Sequence, residues 1–215
     1  GQNHIVYAFD QLTNSWVLKS PFPLIPTPQD CYGFSIGTKG YVVGGWNGAI
    51  ISDMYEYDSV NDSWTQKSSF PAGVRSGLSG FVINNIAYLG TGYNGSNVLT
   101  DFYKYNNLTD QWTACANVPG PPRGSASGFS IGNFGYLGGG YNGSTIGTIF
   151  YYDFYRYDPN LNNWTSVTNY PGNGPSYSAA FSIGNKGYMG TGGTFGGPYH
   201  SNFYEFTDPF LTSVA

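Results

Sequence analysis

YEYDSVNDSW, residues 55–64, sets two tyrosines at alternate positions, then an acidic residue, a short polar stretch and a tryptophan. Alternation places Tyr55 and Tyr57 on one face of an extended strand. The Asp, Ser and Asn residues that follow are turn formers, and Trp64 opens a second strand. The same form recurs as YAFDQLTNSW at 7–16, YKYNNLTDQW at 103–112 and YRYDPNLNNW at 155–164. Tryptophans thus fall at 16, 64, 112 and 164, with separations of 48, 48 and 52. A second element keeps this period: GYVVGG from Gly40, AYLGTG from Ala87, GYLGGG from Gly135 and GYMGTG from Gly187. Two elements recurring in phase mark a repeat architecture.

Each full unit divides into four short strands. Strand a is an alternating run such as GFSIG, found at 33–37 and again at 128–132. A tight turn (TK, NN, NF or NK) leads into strand b, which ends in the glycine pair. A loop with Asn-Gly follows at Asn47, Asn94 and Asn142, a strong chain-reversal signal. Strand c is the Tyr-x-Tyr stretch and strand d begins at the tryptophan. Proline-rich links, SSFPAGVR at 68–75 and NVPGPPR at 117–123, return the chain to the next strand a. With 19% aromatic and only 9% charged residues, 32 Gly and 20 Tyr, the composition suits pleated strands and turns rather than helices. The expected fold class is all-β.

A glycine doublet after an aromatic, then Tyr-x-Tyr-Asp, then a tryptophan, resembles the kelch repeat, in the style of bacterial secreted proteins. The resemblance covers essentially the whole chain. It implies a β-propeller of four-stranded antiparallel blades, about four of them visible, stacked so that neighbours cover each blade's faces. The expected organisation is a single domain, 1–215. It comprises a partial blade of strands c and d (1–30), full repeats at 31–75, 76–123 and 124–175, and a partial blade of strands a to c (176–215). Two closures are open. The N-terminal c and d strands complete the last blade and close a four-bladed ring, leaving a surplus strand at Asn202 to Phe206. Otherwise the chain is part of a larger propeller or is completed by a second chain.

With strands alternating in direction, the b–c and d–a loops emerge on one face. The b–c loops carry Trp46-Asn47, Tyr93-Asn94, Tyr141-Asn142 and, in the last unit, Phe195 and Tyr199. The d–a links carry Arg75 and Arg123 at equivalent positions, where the other units read Gln29-Asp30 and Pro175-Ser176. Aromatics, amides and guanidinium groups on one face suit sugar rings or a peptide with carboxylates. These ten residues, Trp46, Asn47, Arg75, Tyr93, Asn94, Arg123, Tyr141, Asn142, Phe195 and Tyr199, are the candidate ligand-binding set, and the site is asymmetric. Each also has a bland reading: the aromatics pack on the next blade, Asn-Gly pairs are turns, and each arginine pairs with a neighbouring carbonyl. Asp53, Asp101 and Asp153, and likewise Asp58 and Asp158, are expected to clamp loop amides. The third b–c loop, YNGSTIGTIFYYDF, is four residues longer than its equivalents and carries Ile149, Phe150, Tyr151 and Tyr152, a place for specificity.

The formal net charge of -4 gives no electrostatic footprint for nucleic acid. No apolar run reaches the roughly 20 residues of a membrane span, and GQNHIVYAFD does not read as a signal peptide. Cys31 and Cys115 fall in non-equivalent strands and are expected as separate thiols. Sequons at Asn61, Asn94, Asn107, Asn142 and Asn163 are read as by-products of turn chemistry. Some kelch proteins are copper oxidases with a site built from tyrosines and two histidines; here His4 and His200 are the only histidines, His4 lies at the start, and no Cys–Tyr pairing is suggested. Kelch relatives that act on sialic acids use polar channel residues, whereas the inner strands here read Gly, Ser, Phe and Ile. No phosphate loop, zinc spacing or catalytic triad emerges. The expectation is a non-catalytic extracellular or cell-surface module, without cofactor, metal or nucleic-acid partner. It binds glycan or protein through the b–c/d–a face. The alternative is an assembly scaffold that meets another copy of itself or missing blades; least expected is a kelch-type enzyme acting on sugars.

Overall fold

The computed structural model describes residues 4–143, 147–193 and 197–211. Among these residues there are seventeen β-strands of five residues each and no helix. A hairpin, β1 (Val6–Asp10) and β2 (Ser15–Lys19), precedes three complete antiparallel blades. The first is β3 (Tyr32–Ile36), β4 (Lys39–Val43), β5 (Met54–Asp58) and β6 (Ser63–Lys67). The second is β7 (Ser79–Ile83), β8 (Ile86–Gly90), β9 (Phe102–Asn106) and β10 (Gln111–Cys115). The third is β11 (Ser127–Ile131), β12 (Phe134–Gly138), β13 (Phe154–Asp158) and β14 (Asn163–Val167). The fourth has three strands, β15 (Ala179–Ile183), β16 (Lys186–Gly190) and β17 (Phe203–Thr207). The a-strands β3, β7, β11 and β15 lie side by side in that order. The all-β kelch-propeller expectation is met.

Core forms between blades, because one blade cannot cover its own faces. Ile36, Tyr41, Val43 and Met54 of the first blade pack with Leu78, Ala87, Leu89 and Tyr105 of the second. Phe81 and Ile83 meet Leu137 and Tyr157 across the next junction, and Phe129 and Ile131 meet Met189 across the third. Glycine in strand b is what lets the phenylalanine in. A Cβ on Gly135 would sit 2.0 Å from the Phe81 ring, and one on Gly187 would sit 2.0 Å from Phe129. Gly40, at the same position of the first blade, meets nothing nearer than Tyr57 Cβ at 3.9 Å.

Polar staples repeat with the core. The residue two before each full-blade tryptophan, Asp62, Asp110 or Asn162, adopts a left-handed φ of 49°, 53° or 48°. Its side-chain oxygen accepts from the strand-c tyrosine hydroxyl (Tyr57, Tyr105, Tyr157) and from the preceding blade's link (N–H of Ser20, Ser68, Ala116). The tryptophan Nε1 then donates to the carbonyl of that same link residue. Asp58 and Asp158 accept from backbone amides of their own turns, as expected.

Cys31 and Cys115 are both free thiols, also as expected. Among the described residues the ring-closing pairing is not formed: β1 pairs only with β2, and β17 stays on β16. The outer faces of these terminal sheets are open. Trp16 is 69% exposed, whereas Phe181, at the position buried as Phe81 and Phe129, is 43% exposed.

Candidate functional site

Backbone geometry brings the b–c and d–a segments onto one face, as strand parity requires. Trp46, Tyr93 and Tyr141 each bridge to the link before their own blade, at Gln29, Ser76 and Gly124. The neighbouring glycines bond the link that follows: Gly45, Gly92 and Gly140 donate to the carbonyls of Arg75, Arg123 and Pro175. Each b–c loop is therefore held between two links, and its aromatic is presented on a fixed backbone. Trp46 is 47% exposed and Tyr199 is 91% exposed.

The arginines have a different task from the one expected on this face. Arg75 and Arg123 are buried, with side-chain exposures of 1% and 0%. Arg75 grips Asp101 through Nη1 at 2.6 Å and Nη2 at 3.0 Å, donates to the Thr91 carbonyl, and lies over the Phe70 ring. Arg123 grips Asp153 at 2.9 and 2.6 Å, donates to the Gly139 carbonyl, and lies over Tyr151 and Tyr155. A guanidinium in this setting holds its fork because both terminal nitrogens find oxygens and the neighbouring rings cover its faces, although Arg75 Nε is buried without a partner. The carbonyl-pairing alternative is the one the geometry shows, and ligand contact by either guanidinium is corrected. Asp101 and Asp153 are clamps on these arginines rather than on loop amides, while Asp53 accepts from Gln66 Nε2.

Loop amides likewise hold their own loops. Asn94 Oδ1 accepts from the N–H groups of Ser96 and Asn97. Asn142 Oδ1 accepts from Ile149 N–H and its Nδ2 donates to the Gly147 carbonyl, tying the long third loop together. Asn47 N–H donates to the Ala49 carbonyl. Phe195 lies outside the described residues.

Two features on this face remain open to a ligand. The first is a groove of about 450 Å³ between the b–c loops of the second and third complete blades. Tyr93, Ser96, Asn97 and Val98 form one bank; Pro122, Asn142, Gly143 and Tyr151 form the other. Tyr151 is fixed from below by the Arg123–Asp153 pair. Burial pushes the Tyr151 hydroxyl up, against the pull of the Arg123 charge. Burial and the Asp153 carboxylate push the adjacent Tyr155 up to about 12.

The second is the ring of strand-a starts. Asp30, Gly77, Ser125 and Tyr177 all adopt left-handed φ values, 55°, 60°, 50° and 56°. Their backbones form a chain in which Tyr177 N–H donates to Ser125, Ser125 N–H to Gly77, and Gly77 N–H to the Asp30 carbonyl. Tyr141 stands beside Tyr177, with ring centroids 6.0 Å apart and hydroxyls at 3.3 Å. Asp30, Ser125 and Tyr177 escape a reading of the sequence that looks for equivalent residues, because their shared feature is a backbone angle. The signal available is that four unlike residues stand at one repeat position, just ahead of strand a.

Family comparison agrees with this geometry. A family model described as the KLHDC2/KLHL20/DRC7 Kelch-repeats domain matches residues 3–197. The chain belongs to the kelch-repeat family. Kelch propellers generally serve as binding modules, most often for protein partners. Among solved structures, "Structure of YjhT" is similar with a TM-score of 0.69 and 18% identity, covering 88% of this chain and 68% of that chain. That likeness is one of fold. None of the curated proteins compared matches the chain. Among the described residues no helix is long and apolar enough to cross a membrane, and no group of three or more His, Cys, Asp or Glu is arranged to hold a metal ion.

Proposed function

We propose that this kelch domain is a non-catalytic extracellular or cell-surface binding module that takes a glycan or protein ligand on the b–c/d–a face. The groove between Tyr93 and Tyr151 carries this reading. Its volume falls within the range of small-molecule and short-segment sites. Two tyrosines supply flat apolar contact with a polar tip, and Asn97 supplies an amide, which together suit a sugar ring or a peptide turn. The lining has no paired carboxylates and no histidine to serve as acid and base. The extracellular assignment rests on a composition poor in Lys and rich in Asn, Thr, Ser, Gly and Tyr.

Screening the chain on a glycan array and a displayed peptide library, then repeating with Tyr93→Ala and Tyr151→Ala, tests the site. The expected result is a hit whose affinity falls at least tenfold in each variant, with the thermal midpoint unchanged in Tyr93→Ala and lowered in Tyr151→Ala by the lost cover over Arg123. A hit that neither substitution weakens removes the groove from the reading.

An assembly role is favoured by a separate observation. Phe181 offers the ring that fills a strand-b glycine elsewhere, and Gly40 offers such a glycine unfilled. These two faces fit one another through a second copy, or through further kelch blades. Light scattering that gives a multiple of 23.3 kDa, reduced to that mass by Phe181→Asp, supports self-assembly; a monomer at all concentrations opposes it.

A further inference from the structure

The basic side chains of this protein are largely committed within the fold. Lys39 pairs with Asp58 and Glu56, Lys67 with Asp110, and Arg75 with Asp101. Arg123 pairs with Asp153, Arg156 with Asp208, and Lys186 with Glu205. Among the described residues no salt bridge reaches Asp30. Asp10 and Asp158 also lack an ion pair, but their carboxylates accept from turn amides.

Asp30 sits at the head of the backbone chain that links the strand-a starts. Its φ of 55° and the bond from Gly77 N–H to its carbonyl fix where its side chain begins. Gly77 has no side chain, and that gap is occupied from two sides. Ser125 Oγ lies 3.0 Å, and Asp30 Oδ2 3.4 Å, from where a Gly77 Cβ would stand. Two oxygens thus converge over one bare glycine at the strand-a starts. Tyr141, near enough to feel the Asp30 charge, stands against Tyr177, which is 52% exposed. Although Asp30 keeps accessible surface, the surrounding atoms withdraw enough water to push its carboxyl up, opposed only in part by the Gly77 N–H. Every other carboxyl with a resolved shift is held down. Asp30 is exposed but partly shielded and has no counter-charge, and a cation that also meets tyrosine faces supplies one.

We infer that the row of strand-a starts headed by Asp30 is a recognition site for a lysine or arginine side chain of a protein ligand. This deepens the binding reading above and rests on it. The acceptors are the Asp30 carboxylate and the Ser125 hydroxyl, and the rings of Tyr141 and Tyr177 flank the cation. The groove beside Tyr93 and Tyr151 takes the adjoining, uncharged part of the ligand.

The test uses the full chain and three capped pentapeptides, Gly-Gly-X-Gly-Gly, with X lysine, arginine or norleucine, plus free cadaverine. Binding is read from the amide NMR signals of Gly77, Ser125 and Tyr177. Lysine and arginine peptides are expected to shift these signals saturably, and norleucine is not. Asp30→Asn should weaken the lysine peptide at least tenfold. Norleucine binding as tightly as lysine, or an Asp30→Asn affinity within twofold of the original, overturns the inference. Equal affinity for cadaverine overturns the assignment to a protein side chain. Should Asp30→Asn not fold, Tyr177→Ala decides: threefold weakening or more supports the site, and no change overturns it. Tyr93→Ala and Tyr151→Ala report on the groove alone, so failure there leaves the lysine response standing and separates the two readings.

Discussion

Replacing Arg123 by methionine isolates what the buried clamp contributes. The methionine stem keeps most of the packing volume, so the change removes mainly the guanidinium. What it leaves is specific: Asp153 loses two charge-assisted bonds at 2.9 and 2.6 Å and retains only the Tyr155 hydroxyl at 2.7 Å. The carbonyls of Gly139 and Pro121 lose their donor. Removing one member of a buried pair costs about 3–5 kcal/mol, against at most about 1 kcal/mol for a pair at the surface. Arg123 is fully buried while Asp153 is 25% exposed and regains some water, which places the expected loss at the low end, about 3 kcal/mol. At about 2.1 cal/mol/K per residue, that lowers the thermal midpoint of a chain this size by about 7 °C. Urea unfolding followed by tyrosine and tryptophan fluorescence measures it. The double variant Arg123→Met/Asp153→Leu should recover part of the loss, since the stranded carboxylate is gone. A loss below about 1 kcal/mol, or a double variant no better than the single one, would refute the assignment of this pair as structural and return Arg123 to the list of residues free to meet a ligand.

Three further outcomes follow from the same geometry. Asp110, Asp153 and Asp208 are each pushed up by burial but held below the ordinary range by hydrogen bonds and cations; folded, they take up protons later than in the unfolded chain. Their contribution is therefore complete above the usual carboxyl range near about 4 and drains as pH falls through the lowered values, and urea midpoints between pH 7 and pH 2 should trace that decline. Gly135→Ala puts a carbon 2.0 Å from Phe81 and should cost about 1–3 kcal/mol, whereas Gly40→Ala meets nothing within 3.8 Å and should cost no more than about 1 kcal/mol; equal losses in chemical denaturation would mean that Gly40 is covered in solution. Asp30 carries the opposite sign, its carboxyl raised, so Asp30→Asn should raise stability at pH 7 and lose that advantage as the wild-type carboxyl protonates; a variant less stable at pH 7 would make Asp30 a structural acceptor.

Strands, blades and the shared face of the b–c and d–a segments were legible because each follows from a local pattern repeated in phase. Turn residues were legible too: Asp58 and Asp158 clamp the amides two and three places on, a contact that sequence spacing alone specifies. The orientation of Arg75 and Arg123 was not legible. Their partners, Asp101 and Asp153, lie 26 and 30 residues away, and only inter-strand geometry brings them together. The groove was half legible: Tyr93 and Asn142 stood out as loop residues, but Asn97 and Pro122 line it only because two blades are spaced as they are. Asp30 was hidden for another reason. Beside Arg75 and Arg123 it reads as a departure from a pattern, and its role depends on a glycine 47 positions later having no side chain.

Repetition itself separates scaffold from site. Where the repeat keeps one chemistry at equivalent positions, the residue is spent on holding blades together. Examples are the tryptophan Nε1 bonds to Ser20, Ser68 and Ala116, the left-handed Asp62, Asp110 and Asn162, and the phenylalanine-on-glycine contacts of Phe81 and Phe129. Where the repeat keeps the backbone but releases the side chain, packing no longer dictates identity. The strand-a starts share one φ region and one hydrogen-bond chain, yet present a carboxylate, a bare glycine, a hydroxyl and a phenol. Four-fold backbone order therefore builds a mouth with a charged side at Asp30 and an aromatic side at Tyr177. The lysine or arginine side chain proposed above therefore enters with its charge toward Asp30 and its stem along Tyr141 and Tyr177.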